Sequence, residues 1–187
     1  MRRPTTEEID RWIVDAGYGG GILQPSTVVL IRDVLRPTRF SSWACVRNAA
    51  GSWVMFPCRT VPTDRELSKA ARHKDGTAII AAGVINVGVW RPGYHSPGKY
   101  GKERPCFRQC APIMVHRDND GDKIPEWSPF SKQWDNARGI NLHDWRGSSA
   151  GCPTMEEQAT VDALLSICRQ NRAHAWDLLV IEPLFES

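Results

Sequence analysis

The apolar positions change period along the chain. Over residues 5–16 they recur at helical spacing, with Ile9, Trp12, Ile13 and Ala16 on one face. Thr5 and Glu8 have the spacing of a capping box, and Gly17 supplies a stop. That pattern predicts a short helix. Between residues 27 and 116 the apolar runs shorten to strand length: 27–32, 43–47, 52–56, 78–83, 84–90 and 112–116. Asn48-Ala49-Ala50-Gly51 reads as a hairpin turn between two of them. Residues 91–105 and 118–138, rich in Gly, Pro and charge, read as loops. Residues 140–143 alternate like a strand. The small polar residues 144–151 then predict a loop. A second helix is predicted over 155–171, with Val161, Leu164, Leu165 and Cys168 on its apolar face and Thr154 and Glu157 at capping-box spacing. Residues 176–184 close the chain as a strand. Many short strands with two helices predict an α+β or mainly β domain. The division is an N-terminal helical extension, 1–35, and a main domain, 36–187.

Composition narrows the classes. With 187 residues, 41% apolar and 24% charged, the chain is long enough for its own core and too apolar for disorder. A net charge of +3 is too mild to argue for nucleic acid and suits contact with an anionic surface such as a cell wall. No apolar run approaches the roughly 18 residues of a membrane span, so no membrane insertion is expected. Met1-Arg2-Arg3-Pro4 is followed by no apolar stretch and does not read as a secretory signal. The expectation is a protein made in the cytoplasm. The six cysteines then read as reduced thiols rather than a disulfide framework. Gly19-Gly20-Gly21 lacks the Lys-Ser/Thr of a phosphate loop and reads as a hinge.

Candidate chemistry concentrates in residues 139–153. Cys152 follows Gly151 and precedes the predicted final helix. A cysteine near a helix N-terminus has a lowered pKa, and glycine lets backbone amides approach a reacting carbonyl oxygen. His143, at the end of the preceding strand, is the base within reach of Cys152. The histidine comes first, by nine residues, which fits papain-like enzymes poorly.

The segments Gly139-Ile140-Asn141-Leu142-His143 and Ser149-Ala150-Gly151-Cys152 resemble the catalytic signature of the L,D-transpeptidase (YkuD-like) family, and most closely a divergent phage and prophage branch of it. Asp75-Gly76-Thr77-Ala78-Ile79-Ile80 and the stretch from Pro112 to Asp122 match the same branch in the same order, as does His95. The resemblance spans roughly residues 40–185. It implies the family's sandwich-like catalytic fold, with peptidoglycan stem peptides as substrate and no cofactor or metal. Cys152 would be the nucleophile that forms an acyl-thioester, and His143 the base. Asp144 would orient His143, Gly151 and Cys152 amides would hold the oxyanion, and Ser149 would brace the loop or bond the substrate. Trp145, Arg146, His95 and Arg117 would contact substrate. The chain departs from the main family at Ala150, where a second histidine is usual, at Thr154, where arginine or asparagine is usual, and in its shorter His-to-Cys spacing. These departures favour hydrolysis, of carboxypeptidase or endopeptidase type, over transpeptidation. Release to the wall by a holin or a secretion machine, as for an endolysin, follows by analogy. A wall-binding virion protein with a decayed site, and a cysteine acyltransferase with a non-wall substrate, remain as alternatives.

Other constellations are weaker. Asp118-Asn119-Asp120-Gly121-Asp122 resembles the start of a calcium loop but has Lys123 where an EF-hand needs glycine. Cys106, Cys110 and His116 offer three zinc ligands without an evident fourth. Eight tryptophans offer faces for stacking on sugars, although Trp43, Trp53 and Trp176 suit packing.

Overall fold

A computed structural model describes residues 1–19, 23–36, 39–62, 77–95, 103–118, 133–135, 139–144, 149 and 151–183. The chain runs α1 (Thr6–Asp15), β1 (Thr27–Ile31), β2 (Ser42–Arg47), β3 (Trp53–Cys58), β4 (Thr77–Ile80), β5 (Ile85–His95), β6 (Arg104–Gln109) and β7 (Ile113–Asp118). It continues with β8 (Gln133–Asp135), β9 (His143–Asp144), β10 (Thr154–Met155), α2 (Gln158–Gln170) and β11 (Trp176–Ile181). The fold is α+β and mainly β. A curled six-stranded mixed sheet has the order β3-β2-β1-β11-β5-β6, beside a three-stranded sheet, β4-β7-β8, and a two-stranded parallel pair, β10-β9.

The sheet is mixed because β1 and β11 run parallel while their other neighbours are antiparallel. Both strands are buried on two sides, which is why they read as continuous apolar runs. One side, with Val28, Leu30, Leu178 and Val180, faces the main core; α2 fills that core with Val161, Leu164, Leu165 and Cys168. Ala78, Ile80, Ile113 and Val115 of the three-stranded sheet join the same core. The other side, with Val29, Ile31 and Leu179, is covered by Ile9, Trp12 and Ile13 of α1. The capping box forms at Thr5 and Glu8. Residues 1–35 therefore place a strand inside the sheet and a helix on its outer side.

The curled sheet closes on itself. Beyond β6, Phe107 and Leu142 exchange backbone hydrogen bonds of 3.0 Å in both directions. Beyond β3, Arg59 and Thr154 do the same at 2.8 and 2.9 Å. The pair β9-β10 thus bridges both free edges, and the ring reads β3-β2-β1-β11-β5-β6-β9-β10 and back to β3.

Four elements differ from the sequence reading. Residues 91–105, read as loop, hold the end of β5 (91–95) and the start of β6, which runs on to Gln109. Pro92 is tolerated because β11 pairs with β5 only as far as Trp90, so no neighbour asks for an N–H there. Gln133–Asp135 forms β8 against β7 within the stretch read as loop. The final helix begins at Gln158, and its N-cap Glu157 makes no side-chain cap bond. Thr154 and Met155 are held instead by parallel pairing with His143 and Asp144, so no capping box forms at Thr154 and Glu157.

Leu142 is the test of closure, because its side chain is fully buried and its backbone makes the bridge to β6. Leu142→Ala is expected to cost about 2–5 kcal/mol, a large share of a typical domain's stability. Urea unfolding should show it as a lower midpoint.

Candidate active site

The segment 139–144 is held almost atom by atom. The Ile140 N–H donates to Gln109 Oε1 at 2.8 Å, and the Ile140 carbonyl accepts from Trp90 Nε1 at 2.9 Å. Asn141 Oδ1 accepts from the Gln109 N–H at 2.9 Å. Gln109 Nε2 in turn donates to the carbonyls of Asp135 and Ala111, at 2.8 and 3.0 Å. One buried amide side chain therefore ties β6, β8 and the histidine-bearing segment together. Trp90 and Gln109 carried no functional reading in the sequence, since their roles appear only when β6 is recognised as a strand.

Cys152 lies beside this segment. Its Sγ donates to the Gly139 carbonyl at 3.1 Å and accepts from the Asn141 N–H at 3.3 Å. No hydrogen bond joins Sγ to His143. The parallel register pairs His143 with Thr154, two residues past the cysteine, so the candidate base stands beside the strand that follows the cysteine. Thr154 itself is fully buried, paired with His143 on one side and Arg59 on the other. The helix dipole plays no part at the thiol, because β10 intervenes before α2 begins at Gln158. Burial, the largest influence, pushes the thiol pKa up, and the Asn141 amide and Ser149 pull against it. The nearby Asp135 carboxylate adds to the upward push. The resting group is a neutral thiol.

His143 is buried, and its Nδ1 lies 2.6 Å from the Asp144 main-chain oxygen. A carbonyl only accepts, so Nδ1 carries a proton, and Nε2 is the ring nitrogen that could act as a base. The Asp144 carboxylate also accepts from Arg104, whose Nη1 donates to Oδ2 at 2.5 Å. His95, the cross-strand partner of Arg104, stacks on His143 with ring centroids 4.3 Å apart. Ser149 Oγ donates to the Cys152 carbonyl at 2.8 Å and so ties down the turn.

Gly151 is confined for two reasons. Its φ is +142°, a region that side chains rarely enter, and a Cβ there would lie 2.9 Å from the Ala78 carbonyl oxygen. Arg117 sits inside the protein, with its guanidinium on the Asp135 carboxylate, rather than at an open substrate surface. Trp145, Arg146 and most of the Asp118–Asp122 turn lie outside the described residues. Of the proposed zinc ligands, Cys106 is buried and Cys110 Sγ donates to the Gly88 carbonyl at 3.2 Å. Among the described residues no group of three or more His, Cys, Asp or Glu is placed to hold a metal ion, and no helix is long and apolar enough to cross a membrane.

All six cysteines are free thiols. Cys45, Cys58 and Cys168 are enclosed by apolar side chains, and burial pushes Cys168 up to about 12. No protein-family model, curated protein or solved structure matches the chain.

Two outcomes follow from this geometry. In the native protein without substrate, iodoacetamide should label Cys152 more slowly at pH 7 than it labels free cysteine. A raised pKa means less thiolate, so the rate should still be climbing above pH 9; peptide mapping by mass reads it site by site. Gly151→Ala combines a strained φ with a backbone clash. It should cost about 3 kcal/mol or more, seen as a lower melting temperature.

Proposed function

We propose that this chain is a cysteine-dependent amide hydrolase acting on peptidoglycan stem peptides, with an L,D-transpeptidase-type catalytic domain. The observation that carries the chemistry is the pairing of β9 with β10, which sets a tautomer-fixed imidazole beside the strand that follows Cys152. The substrate class rests on the resemblance of the Gly139–His143 and Ser149–Cys152 segments to that family.

The reaction begins with rotation of the thiol away from Gly139. His143 Nε2 takes the Sγ proton as sulfur attacks the scissile carbonyl carbon. A C–S bond forms, and the carbonyl electron pair moves to oxygen, where the Gly151 and Cys152 amides meet it. Collapse breaks the C–N bond, and the imidazolium returns its proton to the leaving amine. Water then attacks the thioester while His143 takes a proton from it, and the sulfur leaves to recover the thiol. An amine in place of that water would give transpeptidation. Reaching the wall needs a release route, and a holin or a secretion machine would supply it.

The test is digestion of purified peptidoglycan by the wild-type protein and by Cys152→Ala, with mass analysis of the released muropeptides. Wild type should release a product, and Cys152→Ala should lower its rate by on the order of 10³-fold or more. Loss of D-Ala marks a carboxypeptidase, loss of a cross-link an endopeptidase, and exchange a transpeptidase. Sacculi bound but left unchanged by both proteins would overturn the enzyme reading in favour of a wall-binding module.

A further inference from the structure

The register of β5 and β6 sorts their side chains into two faces. Trp90 opposite Gln109 and Pro92 opposite Phe107 place Trp90 and Phe107 in the core. The alternate pairs, Arg91 with Arg108, Gly93 with Cys106 and His95 with Arg104, project to the other face. His95 stacks on His143 from that face, so it adjoins the site. Three arginines therefore share one sheet face that ends at the candidate base. Arg91, Arg104 and Arg108 are all exposed.

Two observations argue that this face holds a ligand. Arg91 and Arg108 stand directly opposite each other, a like-charge pair that works against the hairpin. Among the described residues no carboxylate pairs with either, whereas Arg104 is held by the buried Asp144. Gly93 then gives Arg108 room. A Cβ on Gly93 would lie 2.7 Å from Arg108 Cδ and 2.9 Å from Cγ, so the arginine stem lies across the glycine. The missing side chain lets a cation rest along the sheet rather than stand away from it.

We propose that the Arg91–Arg108–Arg104 face is the subsite for an extended peptide bearing several carboxylates, which it leads to His143. This rests on the reading of the site as a stem-peptide hydrolase and specifies what its substrate must carry. Arg104 and Arg108 are four residues apart along β6, which is about 13 Å at strand rise. About four residues of an extended acidic peptide span the same length, so carboxylates near its two ends reach both guanidinium positions. Arg104 marks the end near the reacting carbonyl, because its other partner, Asp144, supplies the oxygen on His143 Nδ1. Arg91 and Arg108 supply the distal contact. Arginine suits this role because its planar fork takes a carboxylate through two parallel hydrogen bonds.

The probe is a peptidoglycan stem tetrapeptide with free carboxylates, set against the same peptide with its carboxylates amidated. Binding is measured calorimetrically on Cys152→Ala protein, so turnover does not enter. The free peptide should bind at least about 10-fold more tightly than the amidated one, and the preference should shrink as salt rises from 50 to 300 mM. Arg91→Gln with Arg108→Gln should weaken the free peptide about 10-fold and leave the amidated peptide unchanged. The melting temperature of that double variant should not fall, since a like-charge pair is removed. Equal binding of the two peptides, no binding of either, or full binding by the double variant would each overturn the subsite. Arginine-dependent binding by a protein that leaves sacculi intact would support the subsite while removing the hydrolase reading, so the two failures are distinguishable.

Discussion

The backbone groups at the two edges of the six-stranded sheet set the terms for the rest of the molecule. A curled sheet with open edges leaves two rows of N–H and C=O groups to be satisfied. Here the occupants of both edges are the short segments that carry the candidate histidine and cysteine. Leu142 bonds β6, Thr154 bonds the end of β3, and β9 and β10 bond each other. Closure and site assembly are thus one event. The strand that places His143 cannot shift without opening the ring, and the turn that carries Cys152 is tethered at its far end by the same pairing. Local precision at the site is obtained from the backbone hydrogen bonding of the whole barrel-like wall, with the apolar face of α2 packed on the main core and α1 on the other side of the sheet.

That arrangement also explains the state of the thiol. A free cysteine is only about 3% thiolate at pH 7, and burial lowers that fraction further. The cysteine is six positions ahead of the helix start, too far for the dipole to act within its first turn. Near the sulfur stand a backbone amide donor, from Asn141, and a carbonyl acceptor, from Gly139, with Ser149 and the Asp135 carboxylate also acting on it. An acceptor on the thiol proton favours the neutral form. On the proposed reading such a group would pass its proton to a base as it attacks, rather than stand as a thiolate. His143 would be that base on the same reading, with Nδ1 on the Asp144 main-chain oxygen and Nε2 as the atom that takes the proton. A resting thiol is also less exposed to oxidation than a standing thiolate.

Much of the architecture was legible in the sequence, for identifiable reasons. α1 carries its capping box and an uninterrupted apolar face, and β1 and β11 carry the apolar runs Val28–Ile31 and Leu178–Ile181 because both of their faces are buried. The hairpin of β2 and β3 announces itself by its Asn-to-Gly turn. β6 was not legible. Pro92 and Gly93 are breakers by composition, and only the end of β11 at Trp90 shows that a proline there disturbs no ladder. With β6 went the recognition of Gln109, Arg104 and Arg108. The start of α2 was misplaced for a related reason. Thr154 and Glu157 have the spacing of a cap, and no local rule reveals that Thr154 is committed to a strand partner eleven residues back.

The same contrast separates the residues of the site. Cys152, Gly151 and His143 stand out in sequence because their chemistry or their backbone needs are unusual for any context. Asp144 stands out as a carboxylate, yet what touches the imidazole is its main-chain oxygen, an atom every residue has. Its carboxylate acts one step further away, holding Arg104 and with it the end of the hairpin that also positions His95. A residue's side-chain chemistry can therefore be read correctly while its role is carried by the backbone. Where a site is built on strand pairing, the identity at such a position is constrained by its outward partner, here Arg104, more than by the group it orients. Exchanging Asp144 for asparagine would keep the main-chain oxygen on Nδ1 and remove the charge that anchors Arg104, which makes the hairpin a place where that change should be felt.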